Sequence, residues 1–147
     1  MKLPLFSVVI PCYNVEKEIG ATLDSVRAQT FREFEVIAIN DGSTDSTIEI
    51  LRAYQPNFDL VVVNQSNKGL GGARNAGILA ATGKYIAFLD ADDIWKEAKL
   101  QRVYEEIGRT DADLVCHYEE CQSENKKIGI LRHGPHTSYD DLLFKGN

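Results

Sequence analysis

Three carboxylates stand within four residues at Asp90-Ala91-Asp92-Asp93, directly after the apolar run Tyr85-Ile86-Ala87-Phe88-Leu89. Like charges this close repel unless a cation or solvent relieves them. Mg2+ and Mn2+ are hard ions that take carboxylate and phosphate oxygens. One or two carboxylates, a diphosphate and water complete their octahedron. Asp90 and Asp92 are therefore candidate metal ligands, with Mn2+ or Mg2+ as the cofactor. The same residues are also favoured at a solvated helix N-terminus, through capping and the helix dipole. Their place at the end of a strand favours the ion.

A second polar cluster, Asp41-Gly42-Ser43-Thr44-Asp45, follows the run FEVIAI at 34–39 and Asn40. It has turn and capping chemistry. Asp41 is the residue nearest the strand end, where a carboxylate can accept the imide N–H of a uracil or thymine ring. The glycine-rich stretch from Asn67 to Asn75 lets backbone approach a phosphate. It lacks the third glycine of a dinucleotide fingerprint, since Arg74 stands there, and Gly83-Lys84-Tyr85 fails the P-loop pattern. Gly72 and Gly77 are better read as strand-to-helix packing positions. Cys116, His117, Cys121, His133 and His136 contain no CxxC pair, so a zinc site is not supported. No GxSxG elbow is present.

These residues need elements to hold them. Phe6 to Ile10 is a buried strand ended by Pro11, and Asn14 with Glu16 opens a helix whose Ile19, Leu23 and Val26 share a face. Phe34 to Ile39, Leu60 to Val63 and Tyr85 to Leu89 are further apolar strands. Ser46 with Glu49 makes a capping box for a second helix. A third helix runs from the glycine-rich loop to about Ala81 and is stopped by Thr82-Gly83. Leu100, Val103 and Ile107 mark a fourth. Leu114 to His117 and Lys127 to Leu131 are expected as fifth and sixth strands, and a short helix is expected near Leu142 and Leu143. Apolar strands alternating with helices predict an α/β fold, a doubly wound and mostly parallel open sheet with helices on both faces. Ligands of such sheets sit outside the carboxyl ends of the strands. The segments after the first four strands, Pro11 to Asn14, Asp41 to Asp45, Asn67 to Gly72 and Asp90 to Asp93, all fall at that edge.

The 147 residues suffice for one domain with its own core. A balance of 16 basic against 22 acidic residues, net charge -6, with no Lys/Arg run, argues against nucleic acid as a partner. An anionic substrate would need a cation between it and these carboxylates. The odd count of 3 cysteines argues against a disulfide framework and for a reducing cytoplasm. No signal peptide and no membrane span are expected.

Taken together, the chain resembles family 2 glycosyltransferases, which have the GT-A fold. The resemblance runs from Phe6 to Trp95. It rests on VVIPCYN at 8–14, SVRAQT at 25–30, NDGSTD at 40–45, NKG at 67–69, ARNAG at 73–77, GKY at 83–85 and FLDADD at 88–93. It implies that Pro11 and Tyr13 line a nucleobase pocket, Tyr13 by stacking, and that Asp41 hydrogen-bonds the base, most often uracil. Arg74 is expected near the nucleotide, Asp90 on the ribose or the metal, and Asp92 as the principal metal ligand.

The implied reaction is metal-dependent, inverting transfer from a UDP-sugar to a carbohydrate or lipid-linked acceptor, in cell-surface polysaccharide synthesis. The implied location is the cytoplasm, extending to peripheral association with the inner face of the membrane. No catalytic base is recognisable, and it is expected beyond Asn147, in an acceptor-binding half that residues 1–147 do not include. The competing reading is a non-catalytic nucleotide-sugar-binding module or an inactive fragment. A nucleotidyltransferase is disfavoured because no basic triphosphate-binding motif follows the first strand.

Overall fold

Phe6 to Cys12 is buried along its whole length in the computed structural model, which describes residues 3–110, 113–115, 119–123 and 126–131. A strand without a solvated face belongs in the middle of a sheet covered on both sides. This strand, β1 (Phe6–Cys12), pairs in parallel with β2 (Phe34–Asp41) on one side and with β4 (Tyr85–Phe88) on the other. Strand β3 (Leu60–Gln65) lies outside β2, giving the order β3-β2-β1-β4.

That order places the helices. The connections through α1 (Ile19–Arg27) and α2 (Thr47–Tyr54) step one way along the sheet. The connection through α3 (Gly69–Ala80) steps back across β2 and β1. Right-handed crossovers then put α1 and α2 on one face and α3 on the other. The contacts agree, since α1 meets α2 whereas α3 packs on β1 and β2. Under α3, Ile37 and Ile39 meet Ala73, Val63, Ala76 and Ala80. The alternate residues Val36 and Ala38 serve the other face, where α1 buries Ile19, Leu23 and Val26 and α2 buries Leu51.

Gly77 brings α3 close to β1: a Cβ there would overlap Val9 Cγ1. Gly72 differs from expectation. A Cβ on it would meet only the Lys68 side chain, one turn back in the same segment, so it does not serve strand packing.

Neither expected cap forms as the sequence suggests. Asn14 has φ 52° and does not cap α1, whose N-cap is Glu18. Its amide is committed to the loop after β2, accepting the Thr44 N–H at 2.8 Å. Ser46 does sit at the N-cap of α2 but makes no side-chain cap bond. Its N–H, which Glu49 would take in a capping box, is donated to Glu16 Oε2 at 2.9 Å. Asp45 supplies the cap instead, with Oδ1 accepting from the Thr47 N–H (3.0 Å) and hydroxyl (2.6 Å).

The chain divides into two units, Met1–Arg102 and Val103–Asn147. The first holds the sheet. The fourth helix, α4 (Lys99–Thr110), buries Leu100 and half-buries Val103 and Ile107, as its periodicity predicts. In the second unit, Leu114 and Val115 are not in a strand, while Cys116 and His117 lie outside the described residues. The strands there are β5 (Glu119–Ser123) and β6 (Lys126–Leu131), an antiparallel hairpin separate from the parallel sheet. The segment around Leu142 and Leu143 lies outside the described residues. Among the described residues no helix is long and apolar enough to cross a membrane.

At the end of the sheet remote from the polar segments, Glu35 ties three pieces of chain together. Its Oε1 accepts from the Ser7 hydroxyl (2.6 Å), the Thr82 N–H (2.7 Å) and the Thr82 hydroxyl (2.9 Å). Partial burial pushes its pKa up, but hydrogen bonds from Ser7, Thr82 and Gly83 outweigh this and hold it below the usual glutamate range. A carboxyl with a depressed folded pKa adds stability that is present above the unfolded value, about 4.3, and lost as pH falls through the folded one. Urea midpoints of native protein and Glu35→Gln should therefore differ at pH 7 and converge towards pH ~3. A gap independent of pH would refute the assignment.

Candidate functional site

Strands β1, β2 and β3 end at Cys12, Asp41 and Gln65, and the order reverses between β1 and β4. At that kind of reversal the connecting loops diverge to opposite faces and leave a crevice. A cleft of about 190 Å³ opens over the carboxyl ends of β1 and β2, lined by Pro11, Cys12, Tyr13, Asp41, Asn67, Gly69, Leu70 and Ala73. Three expected site residues, Pro11, Tyr13 and Asp41, are thus brought together. Tyr13 is 51% exposed, a flat aromatic surface held at the mouth of a cleft. Cys12 is its buried neighbour, with the thiol pushed up to about 12 by burial. It is a neutral wall residue and not a nucleophile.

Asp41 is only 3% exposed, so its carboxylate requires partners. Oδ1 accepts the Gln65 Nε2–H at 2.6 Å and the Lys68 backbone N–H at 2.9 Å. The adjoining pair is also bonded, Asn40 Nδ2 to Asn64 Oδ1 at 3.0 Å. Gly42 (φ 74°) makes the turn that follows, and a Cβ on it would lie 2.8 Å from the Asn67 nitrogen. The loops after β1 and β2 are clasped to each other. Beyond the Asn14–Thr44 bond, the Asn14 N–H reaches Ser43 Oγ (3.1 Å), the Val15 N–H reaches Thr47 Oγ1 (3.0 Å) and the Glu16 N–H reaches Asp45 Oδ2 (3.1 Å). This clasp fixes the walls that carry Tyr13 and Asp41.

The acidic triplet follows β4. Asp90 is not a bare carboxylate: its Oδ1 accepts from Arg74 Nη2 at 2.8 Å. The Arg74 guanidinium also lies 5.7 Å from the centroid of the Phe88 ring, and its buried Nε has no hydrogen-bond partner among the described residues. Asp92 is exposed. Among the described residues, no group of three or more His, Cys, Asp or Glu could hold a metal ion. Of the three carboxylates, Asp92 and Asp93 are exposed and Asp90 is half engaged. Such a hard, sparse donor set fits a Mg2+ or Mn2+ ion that takes its other ligands from phosphate and water.

Helix α1 holds this loop, a role that no motif announced. The Thr22 hydroxyl donates to the Ala91 carbonyl (2.7 Å), and Ser25 Oγ accepts the Trp95 N–H (3.1 Å). The Gln29 amide donates to the Lys96 carbonyl (2.9 Å) and accepts the Leu100 N–H (3.0 Å). Thr22 and Ser25, three apart on α1, are buried with Leu23 and Val26, and Gln29 is buried two residues past the end of the helix. The signal available in the sequence was a polar residue at each of these positions on an otherwise apolar face. Gln65 left no such signal, because its role depends on its register opposite Asp41.

The model of the family described as Glycosyl transferase family 2 matches residues 7–142. An uncharacterised glycosyltransferase of Nostoc sp. is 40% identical over 138 residues, which cover 91% of this chain and 43% of that protein. The crystal structure of S. aureus TarS 1-349 in complex with UDP-GlcNAc is 30% identical with TM-score 0.74, covering 84% of this chain and 36% of that one. The mannosyltransferase PcManGT from Pyrobaculum calidifontis, in complex with GDP-Man and Mn2+, is 25% identical with TM-score 0.68, covering 84% and 37%. The chain therefore spans less than half the length of each. The parallel sheet with flanking helices is that of GT-A glycosyltransferases. With the family model matching nearly the whole chain, this protein belongs to glycosyl transferase family 2.

Proposed function

We propose that this chain forms the donor-binding region of an inverting, metal-dependent glycosyltransferase, which moves a sugar from a UDP-sugar to an acceptor hydroxyl. The observation that carries this reading is the cleft over the carboxyl ends of β1 and β2. It combines an exposed ring, Tyr13, with a buried and oriented carboxylate, Asp41. Tyr13 would stack on the base with Pro11 beside it, and Asp41 would accept its imide N–H. Arg74, already paired with Asp90, adds positive charge near the diphosphate and steadies Asp90 for the ribose or the ion. Asp92, with Asp90, would hold Mn2+ or Mg2+. The bound ion would supply Lewis acidity that stabilises the departing nucleoside diphosphate.

Two known structures support the donor class, one holding UDP-GlcNAc and one holding GDP-Man and Mn2+. Inversion calls for a base that deprotonates the acceptor. No described residue is assigned that role. The acceptor proposed is a carbohydrate or a lipid-linked acceptor. The setting proposed is cell-surface polysaccharide synthesis in the cytoplasm, at the inner face of the membrane.

The test is binding. Titration calorimetry with UDP, GDP and dTDP, with and without Mn2+, should show UDP bound most tightly. Asp41→Ala should weaken UDP at least about tenfold, the loss expected for a hydrogen bond to a charged group. Native-like UDP affinity in that variant would remove the base contact from the site.

A further inference from the structure

The geometry points to Gln65 as a positioning residue that sets the nucleobase preference of the cleft, by holding Asp41 so that one carboxylate oxygen is left as a bare acceptor. Both side-chain hydrogen bonds to Asp41 fall on Oδ1, from Gln65 Nε2 at 2.6 Å and from the Lys68 N–H at 2.9 Å. None among the described residues falls on Oδ2. The arrangement is built into the strand pairing. Gln65 and Asp41 are directly opposite in the β2–β3 register, and both are the last residues of their strands. The Asn40–Asn64 bond one position earlier holds that register at the strand ends.

An ionised carboxylate only accepts hydrogen bonds. With Oδ1 saturated and the group 3% exposed, the base must bring a donor to Oδ2. Uracil does so with its N3–H. Cytosine presents a lone pair at the same ring position, so acceptor would face acceptor. A site built to pair with a donor rejects the analogue that lacks it, because the buried group is then left unpaired. Gln65 does not touch the base in this arrangement. It acts through Asp41, by preventing the carboxylate from turning both oxygens toward the Lys68 N–H.

The inference rests on the nucleotide reading of the cleft, and the test separates the two. UDP and CDP affinities are measured by calorimetry on the 147-residue chain, as native protein, Gln65→Met and Gln65→Glu, with melting temperatures alongside. In native protein UDP should bind at least about tenfold more tightly than CDP. Gln65→Met should lose about tenfold in UDP affinity while CDP changes little, so the UDP:CDP ratio collapses. Gln65→Glu keeps the side-chain length but sets a second carboxylate against Oδ1, and should lose more UDP affinity than the methionine variant. A purely structural role would lower the melting temperature and weaken both nucleotides together, leaving the ratio intact. That result, or native-like UDP affinity in folded Gln65→Met, overturns the role of Gln65 while the nucleotide reading stands. Native protein that binds neither nucleotide overturns both.

Discussion

Gln29→Leu is expected to lower the stability of the sheet unit by about 3–5 kcal/mol, because each orphaned buried polar group costs about 1–3 kcal/mol. Gln29 is 0% exposed, and its amide bonds the Ser25 and Lys96 carbonyls and the Leu100 N–H. Leucine fills similar space but takes the amide partner from the Ser25 carbonyl and the Leu100 N–H, while the Lys96 carbonyl keeps the Lys99 N–H at 2.9 Å; Leu100 is itself only 1% exposed. For a chain of this size the melting temperature should fall by about 10 °C. The damage should also reach the site. The Lys96 and Leu100 anchors lie on the chain leading out of Asp90-Ala91-Asp92, so the acidic loop would keep its Thr22 and Ser25 bonds to α1 but lose the anchors beyond them. Urea denaturation followed by circular dichroism measures the first effect. A loss below about 1 kcal/mol would mean that water replaces the amide and that Gln29 does not fix the loop.

Asp92→Ala carries the second large expectation, in function rather than stability. Mn2+ should tighten UDP binding by native protein about tenfold or more, equivalent to about 1.4 kcal/mol. In the variant that gain should vanish while metal-free UDP affinity stays near native, since the Tyr13 and Asp41 contacts are untouched. Asp92 is exposed and its removal should change stability by no more than about 0.5 kcal/mol. The comparison is thus between two well-folded proteins. UDP binding that is indifferent to Mn2+ in native protein would remove the ion from this site, and Asp90 would then be read through its Arg74 ion pair alone.

Much of this was legible from residue patterns. The four parallel strands could be located because each is a short apolar run bounded by turn residues. The α1 face of Ile19, Leu23 and Val26 followed from helical spacing. Pro11, Tyr13 and Asp41 could be placed on one edge because the carboxyl ends of parallel strands share that edge. Local rules failed where a distant residue competed for the same atom. Ser46 and Glu49 satisfy the capping-box pattern, yet Glu16, thirty positions earlier in the chain, holds the N–H that the box needs. Asn14 has the right chemistry for a cap, but its left-handed backbone and its bond to Thr44 spend it on the β2 loop. Leu114 and Val115 have strand composition but are not in a strand, and the hairpin forms from Glu119 onward. β propensity reflects the surface a segment packs on more than the segment itself.

The acidic triplet shows the same division. By itself the sequence determined that three carboxylates follow an apolar strand, that Asp41 and Tyr13 follow two others, and that the surrounding motifs are those of family 2 glycosyltransferases. Only the tertiary structure decided that Asp90 is paired with Arg74 while Asp92 is left exposed, so the two carboxylates are not equivalent. Only it assigned the hold on that loop to Thr22, Ser25 and Gln29, and the hold on Asp41 to Gln65. The reason is physical. Periodicity along a chain reports which side of an element is buried, whereas a hydrogen bond between elements depends on register and crossover geometry, which exist only once the sheet is assembled.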